Sequence, residues 1–106
     1  MSEVFPSAEL LARADEKHRY HEFLRVPAMS AGVYVLQPGA TDQQKPHGED
    51  EIYFVIRGRA KMKLGDGQRD VTEGDVIFVE KGLEHRFFDI AEELALLVVF
   101  APAESG

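Results

Sequence analysis

The sequence predicts an all-β domain of the barrel or sandwich type. Three observations carry this prediction: the apolar runs are short, turn residues recur about every 8–12 positions, and only one segment near the N-terminus has a helical pattern. The 106 residues fit a single domain of ordinary size, and 44% hydrophobic with 29% charged residues is typical of a soluble globular protein.

The helical pattern lies in residues 8–14, which are Ala, Glu, Leu and Arg only, and Ser7 precedes them as a predicted N-cap. Leu10, Leu11 and Ala14 share one face, so we expect this short helix to pack against the body of the domain. We therefore divide the chain into an N-terminal helical or extended segment, residues 1–17, and a single β-barrel domain, residues 18–106.

Strands are predicted wherever apolar residues alternate or run together between turn signals. A glycine-rich hairpin turn is predicted at residues 65–68. The predicted strands are residues 20–26, 32–36, 52–56, 60–64, 76–79, 86–88 and 94–100.

Several of these strands are apolar on both faces, as in residues 52–56 and 76–79. A small barrel has one interior, so the outer face of such strands needs a second cover. We expect a homodimer partner to supply it, and the alternative is a monomer in which the N-terminal helix and the chain ends cover that face.

Composition excludes several classes of function. Zero cysteines exclude disulfides, thiolate metal sites and cysteine nucleophiles, and fit a reducing compartment. Twelve Lys and Arg against 19 Asp and Glu give a net charge of −7, which repels nucleic acid and anionic lipid. The N-terminus has no signal-peptide pattern, and the longest apolar run, residues 94–101, is too short to span a membrane. We expect a cytoplasmic protein whose partner is a small-molecule ligand, with no nucleic-acid or membrane partner.

Two histidines stand at strand entries after glycine-rich turns: His47 just before the strand at 52–56, and His85 before the strand at 86–88. Glu51 opens the first of these strands. The inward set of that strand would continue with Tyr53 and Val55, so Glu51 is the carboxylate best placed to point into a barrel.

The stretch around His47 resembles the first conserved motif of the cupin superfamily. Gly39 stands at its first glycine, His47 at its second histidine, Glu51 at its glutamate and Gly58 at its last glycine, while Lys45 occupies the place of the first histidine.

The stretch around His85 resembles the second cupin motif with the same spacing. Gly74, Gly82 and His85 match, Glu80 stands in the proline position and Asp89 in the asparagine position. The resemblance implies a double-stranded β-helix, or jelly roll, with a divalent metal near its mouth.

The departure at Lys45 shapes the expected site. A protonated ammonium has no lone pair to offer a metal, so the resemblance leaves His47, Glu51 and His85 as ligands, with open coordination positions. Two imidazoles and one carboxylate suit Fe(II) and also Mn(II), Ni(II), Co(II) and Zn(II). Either the amide oxygen of Gln44 or water can fill the vacated position, and Asp42 is a candidate salt partner for Lys45.

Tyr53, Tyr34 and Lys45 are the candidate catalytic residues, as proton carriers beside the metal. The predicted function is a metalloenzyme of oxygenase, isomerase or lyase type that acts on a small polar or anionic molecule. The alternatives are a non-catalytic module that binds a small ligand or a metal, and a barrel that has lost its metal.

Overall fold

The structure, a computed structural model, describes residues 3–105. This part of the chain contains one short helix and six strands. Residues 1 and 2 of the predicted N-terminal segment and residue 106 of the predicted barrel domain lie outside the described residues. In chain order the elements are α1 (Ser7–Leu11), β1 (Tyr20–Val26), β2 (Met29–Leu36), β3 (Asp50–Leu64), β4 (Gly67–Thr72), β5 (Val76–Val79) and β6 (His85–Ala101).

The strands pair antiparallel in the order β1-β2-β6-β3-β4, and β5 also pairs with β3. The two longest strands, β3 and β6, run side by side along the whole molecule. The first part of β3 pairs with β5 and its second part with β4, so β3 belongs to both halves of the barrel. This is the double-stranded β-helix arrangement, and residues from both halves meet in one core.

The bend that lets β3 serve both halves lies at Gly58. The β3–β6 register shifts on both sides of it, between Val55 and Arg57 and between Arg57 and Arg59. Gly58 has a φ of +93°, and a Cβ there would collide with the backbone carbonyl of Glu93. Glycine is needed here because only it adopts this backbone conformation and permits this approach without strain.

The strand predictions for residues 20–26 and 76–79 are confirmed to the residue. Two pairs of predicted strands are instead single long strands, β3 and β6, because the backbone continues its pairing through the irregular region. The strand β4 was not predicted. Most of its side chains are polar and exposed, so its position depends on the backbone pairing with β3 in the hairpin and not on burial of its side chains.

The helix is shorter than predicted and lacks the predicted cap. Ser7 is its first residue, Pro6 is the N-cap residue, and no side chain caps the helix. Leu10 is buried and α1 packs against β2, so the helix covers the outer face of the barrel on that side. Within residues 3–105, no helix is both long enough and apolar enough to cross a bilayer.

The described residues do not cover the outer face at the other end of the sheet. Ile52 and Phe54 of β3 and Val76 and Phe78 of β5 are 44%, 38%, 66% and 61% exposed. The N-terminal helix therefore covers only part of the apolar outer surface that the sequence indicates.

Candidate metal centre

The structure brings together the three residues that the cupin motifs align. His47 lies in the loop before β3, Glu51 is the second residue of β3, and His85 is the first residue of β6. One potential ligand atom from each lies within 4.8 Å of the others. This is close enough for a single ion to be shared among them.

Two hydrogen bonds hold the two histidine-bearing loops against each other. The Gly82 amide donates to the His47 carbonyl at 2.8 Å, and the Lys81 amide donates to the side-chain Oδ1 of Asp50 at 2.9 Å. One backbone contact and one contact from a backbone amide to a side chain thus hold the segments that carry His47 and His85 together.

The His85–Glu51 pair is the most buried polar contact of the site. Both side chains are 1% exposed, and Nε2 of His85 lies 3.2 Å from Oε1 of Glu51. The Nδ1 atom of His85 is 2.9 Å from the Leu83 carbonyl, to which it must donate because a carbonyl oxygen only accepts. In the neutral imidazole, the Nε2 lone pair therefore faces the carboxylate.

Within residues 3–105, neither the His85 Nε2 atom nor either Glu51 oxygen has a hydrogen-bond partner. Burying such groups unpaired costs several kcal/mol. Burial lowers the pKa of His85, but the Glu51 carboxylate and the Leu83 carbonyl outweigh it, so that the pKa is raised overall. A bound cation or a protonated His85 would each neutralise this carboxylate.

His47 is held from both sides of its ring. Its Nδ1 lies 3.4 Å from Glu104 Oε2, and its Nε2 lies 3.3 Å from Gln44 Oε1. The side chains of His47 and Glu104 are 19% and 21% exposed, so this part of the site lies nearer to the solvent than Glu51 does. Burial raises the pKa of Glu104.

A cavity of about 180 Å³ opens beside the three residues, with room for about six waters at liquid density. Its lining contains two carboxylates, no lysine and no arginine. The lining residues are Tyr20, Tyr34, Gln44, His47, Glu51, Tyr53, Val98, Phe100 and Glu104.

Two of the predicted catalytic residues, Tyr53 and Tyr34, line this cavity. The Tyr53 hydroxyl donates to Gln44 Oε1 at 2.9 Å, and the Tyr34 hydroxyl donates to Asp42 Oδ1 at 2.7 Å. Burial is the main reason that the pKa of each phenol is raised. Both groups therefore stay protonated and act as hydrogen-bond donors.

The third predicted catalytic residue, Lys45, is exposed and does not line the cavity. Its neighbour Gln44 is the residue that turns inward. Asp42 is buried and accepts from Tyr34, from Gln44 and from the Phe87 amide, so the predicted pairing of Asp42 with Lys45 is wrong.

Two polar residues of the cavity lining, Glu104 and Tyr20, were missed by the sequence analysis, as were the apolar Val98 and Phe100. Glu104 lies beyond the last strand, where no periodicity or motif indicates a role. Tyr20 is paired directly with Tyr34 across β1 and β2, so the strand register would have placed it beside Tyr34.

The donor set fits a divalent transition metal. Two imidazoles and one carboxylate converge, the carboxylate and one imidazole are buried without partners, and no lysine or arginine of the lining competes for the space. His47, Glu51 and His85 are the residues that would hold such an ion.

Comparison with known proteins agrees with this geometry. Residues 32–100 match the cupin domain family. A protein of Streptomyces coelicolor without an assigned function is 47% identical over 93 residues, covering 88% of this chain and 89% of the relative.

Solved structures show the same fold at low identity. A Klebsiella pneumoniae protein with a double-stranded β-helix domain has a TM-score of 0.80 at 21% identity, covering 100% of this chain and 95% of that protein. A Thermus thermophilus protein has a TM-score of 0.77 at 23% identity, covering 96% of this chain and 99% of that one. On its sequence motifs, its barrel and its family match, this chain belongs to the cupin family.

Proposed function

We propose that this protein is a small metalloenzyme that holds a divalent transition metal through His47, Glu51 and His85. The proposal rests on the buried Glu51–His85 contact, where the carboxylate oxygens of Glu51 and the Nε2 atom of His85 lie close together and have no hydrogen-bond partner within residues 3–105. With His85 neutral, two acceptors face each other at 3.2 Å and repel, and a metal cation between them would turn this repulsion into coordination, whereas without metal a proton on Nε2 relieves it. Fe, Mn, Ni, Co and Zn all accept this donor set.

The cavity favours a small, polar and neutral ligand over an anionic one. Its lining carries the carboxylates of Glu51 and Glu104 and no cationic side chain. A divalent cation would balance these two charges, which leaves little attraction for an anion. The exposed position of Lys45 removes the second positive contact that an anionic substrate would need.

The chain's own residues would orient the ligand. Tyr53 and Tyr34 present hydroxyl groups at the cavity wall, while Val98 and Phe100 offer apolar surface. A bound divalent metal supplies a Lewis acid that polarises a carbonyl or hydroxyl oxygen, which is the chemistry shared by isomerases and lyases of this kind. Oxygenase chemistry is the other reaction type open to this donor set.

The second candidate function is a non-catalytic module that binds a small ligand or a metal. The observation in its favour is that both phenol groups already donate to protein acceptors, Asp42 and Gln44, as they would in a fixed binding wall. Saturable ligand binding to the metal-loaded protein without any product would favour the module over the enzyme.

Metal content tests the proposal directly. Protein purified without added metal is expected to hold about one transition-metal ion per chain by elemental analysis, because within residues 3–105 the Glu51 oxygens and His85 Nε2 have no hydrogen-bond partner. His47→Ala and His85→Ala should each lose most of it while circular dichroism shows the same fold. His18→Ala, at an exposed histidine outside the cavity, is the matched control and should keep its metal.

Equal metal content in the wild type and the two site variants would overturn the assignment. A metal-free wild type that also fails to take up added Mn(II), Co(II) or Zn(II) would leave the barrel without a metal function.

A further inference from the structure

The cupin pattern leaves one ligand position unfilled, and the structure shows which side chain takes its place. We propose that the amide oxygen of Gln44 is the fourth protein donor to the metal. The inference rests on the proposed function, because it concerns the same ion. It is based on the orientation of the Gln44 side-chain amide, whose oxygen points into the cavity.

Two hydrogen bonds determine the orientation of this amide. Gln44 Nε2 donates to Asp42 Oδ2 at 2.8 Å, and Oε1 accepts from the Tyr53 hydroxyl at 2.9 Å. Rotating the amide by 180° would set its oxygen against the Asp42 carboxylate, which only accepts, so the contact with Asp42 decides the orientation. The oxygen therefore points into the cavity.

The anchor of the amide is itself rigid. Asp42 is 3% exposed, and its carboxylate also accepts from the Phe87 amide at 2.8 Å and the Tyr34 hydroxyl at 2.7 Å. Asp42 is thus tied to β6 and β2 at once, and it transmits that rigidity to Gln44. This network also explains why Gln44, rather than Lys45, is the inward residue of the loop.

The Gln44 oxygen faces a second electron-pair donor. It lies 3.3 Å from Nε2 of His47, whose Nδ1 is directed at Glu104. With the imidazole proton on the Glu104 side, both Nε2 and Oε1 bring lone pairs, as His85 and Glu51 do. One lone pair of Oε1 is used by Tyr53 and the other is available.

The resulting donor set has two imidazole nitrogens and two oxygens, from Gln44, His47, Glu51 and His85. An amide oxygen is a harder, neutral ligand than the imidazole it replaces. The site is therefore shifted toward Mn(II) and Fe(II), relative to a site with three histidines and one glutamate.

The test uses metal-free full-length protein titrated with Mn(II), followed by electron paramagnetic resonance of the free ion, and with Co(II), followed by its visible spectrum. Gln44→Ala is expected to weaken binding by about 10–100-fold and to change the Co(II) spectrum, because a ligand is lost. Gln43→Ala, the exposed neighbour, is the matched control and should stay within about twofold of the wild type.

A further variant separates a ligand from a residue that only positions others. Tyr53→Phe removes one of the two hydrogen bonds that orient the amide but leaves its oxygen and the Asp42 contact, so it should keep the wild-type Co(II) spectrum and weaken binding less than Gln44→Ala does; a larger loss than in Gln44→Ala overturns the assignment of Gln44 as the ligand. If Gln44→Ala loses the fold by circular dichroism, Gln44→Met preserves the side-chain length and is measured in its place.

The outcomes are distinguishable from failure of the metal site as a whole. Wild-type affinity or an unchanged Co(II) spectrum in the Gln44 variant overturns the fourth ligand alone. Absence of binding in the wild type, or binding indifferent to His47→Ala, overturns the metal proposal itself.

A separate observation, on the outer surface, supports a second inference. Ile52 pairs with Phe78 and Phe54 with Val76 across β3 and β5, so the four exposed apolar side chains are contiguous. We call these four residues the outer patch. The half-buried Val99 and Leu97 of β6 extend it, opposite Ile52 and Phe54.

We propose that a second copy of this chain covers the outer patch. The chain exposes 6605 Å², whereas a self-contained monomer of 11.9 kDa exposes about 5,950 Å². The excess of about 650 Å² is summed over the whole chain, and the four exposed apolar side chains of the outer patch contribute to it; each partner buries roughly 800 Å² in a standard interface. Because the patch of one copy is apolar, the same patch on a second copy complements it about a twofold axis.

Light scattering coupled to size exclusion tests this interface. The wild type is expected at twice its chain mass of 11.9 kDa. Phe78→Lys should raise the dimer dissociation constant at least about tenfold, because it places a charge in the apolar contact. Thr72→Lys, on exposed β4, adds the same charge elsewhere and should remain dimeric.

A monomeric wild type at about 100 μM, a concentration at which a weak micromolar dimer would form, overturns the interface. An unchanged dimer in Phe78→Lys overturns it as well, since the contact would then lie on another face.

Discussion

The two faces of the β3–β5 pair differ in what each one lacks. On the inner face, Glu51, Tyr53 and Val55 are 2%, 1% and 0% exposed, and Glu51 is a charge without a hydrogen-bond partner. On the outer face, Ile52 and Phe54 of the same strand are large apolar groups without cover. Buried polar groups and exposed apolar patches are the informative departures in a folded protein.

Because side chains alternate between the two faces of a strand, one strand can contribute polar residues to a site inside the barrel and apolar residues to a contact outside it. A cation would stabilise the inner face, where lone pairs of Glu51 and His85 face each other. Contact with another apolar surface would stabilise the outer face, where aromatic and branched side chains are exposed to water. Neither of these stabilising contacts is made within residues 3–105, and they are independent of each other, so each can be removed without touching the other.

The largest contrast is expected between two phenylalanines on opposite faces. Phe87 is 0% exposed and Phe78 is 61% exposed. Phe87→Ala should lower the free energy of unfolding by about 3–5 kcal/mol through the cavity it leaves. Phe78→Ala should cost less than about 1 kcal/mol in dilute urea titrations.

The loss of unfolding free energy in Phe78→Ala should grow when the protein concentration is raised about a hundredfold, because dimerisation then contributes to the stability of the wild type. Equal losses in the two variants at low concentration would contradict the assignment of faces.

An intermediate effect is expected from Glu51→Gln. Metal at about 100 times its dissociation constant should raise the unfolding free energy of the wild type by about 2.7 kcal/mol, and the variant should lose most of this gain. Without metal, at a pH high enough to keep His85 neutral, the variant should be more stable than the wild type by about 1–3 kcal/mol, because the new amide can donate to His85 Nε2 and no charge stays buried.

Urea unfolding with and without Mn(II) measures both effects, and Glu92→Gln, at a carboxylate whose side chain is 62% exposed, is the control. A metal-free Glu51→Gln less stable than the wild type would show that the carboxylate is already satisfied.

The smallest effect is expected from Lys45→His. If the side chain at position 45 pointed into the cavity, a histidine there would supply the imidazole that this chain lacks relative to the cupin motif and would tighten metal binding. Because Lys45 is exposed while Gln44 faces the cavity, we expect the Mn(II) dissociation constant to change by less than about twofold. A clear tightening would mean that the loop can turn and that Gln44 does not hold the position.

Local patterns were enough to predict the barrel and the inward direction of Glu51 and Tyr53, because alternation along residues 50–56 places both on one face. That His47 and His85 share a site with Glu51 was implied by the resemblance to the two cupin motifs, and the structure brings the three together.

The loop before β3 has no such period. Whether Gln44 or Lys45 turns inward depends on Asp42, which is fixed by the Phe87 amide 45 residues away. Glu104 reaches the cavity only because the chain folds back after β6, with its amide donating to Ser30 Oγ at 2.9 Å.

The strand-rich architecture and the inward set of β3 follow from the sequence alone, because repeating side-chain direction follows from backbone geometry. Three further features appear only in the folded barrel: Gln44 faces the cavity in place of Lys45, Glu104 flanks His47, and the helix leaves the outer patch exposed. Those outcomes depend on contacts between distant segments, whose hydrogen bonds and packing are set only once the barrel is closed.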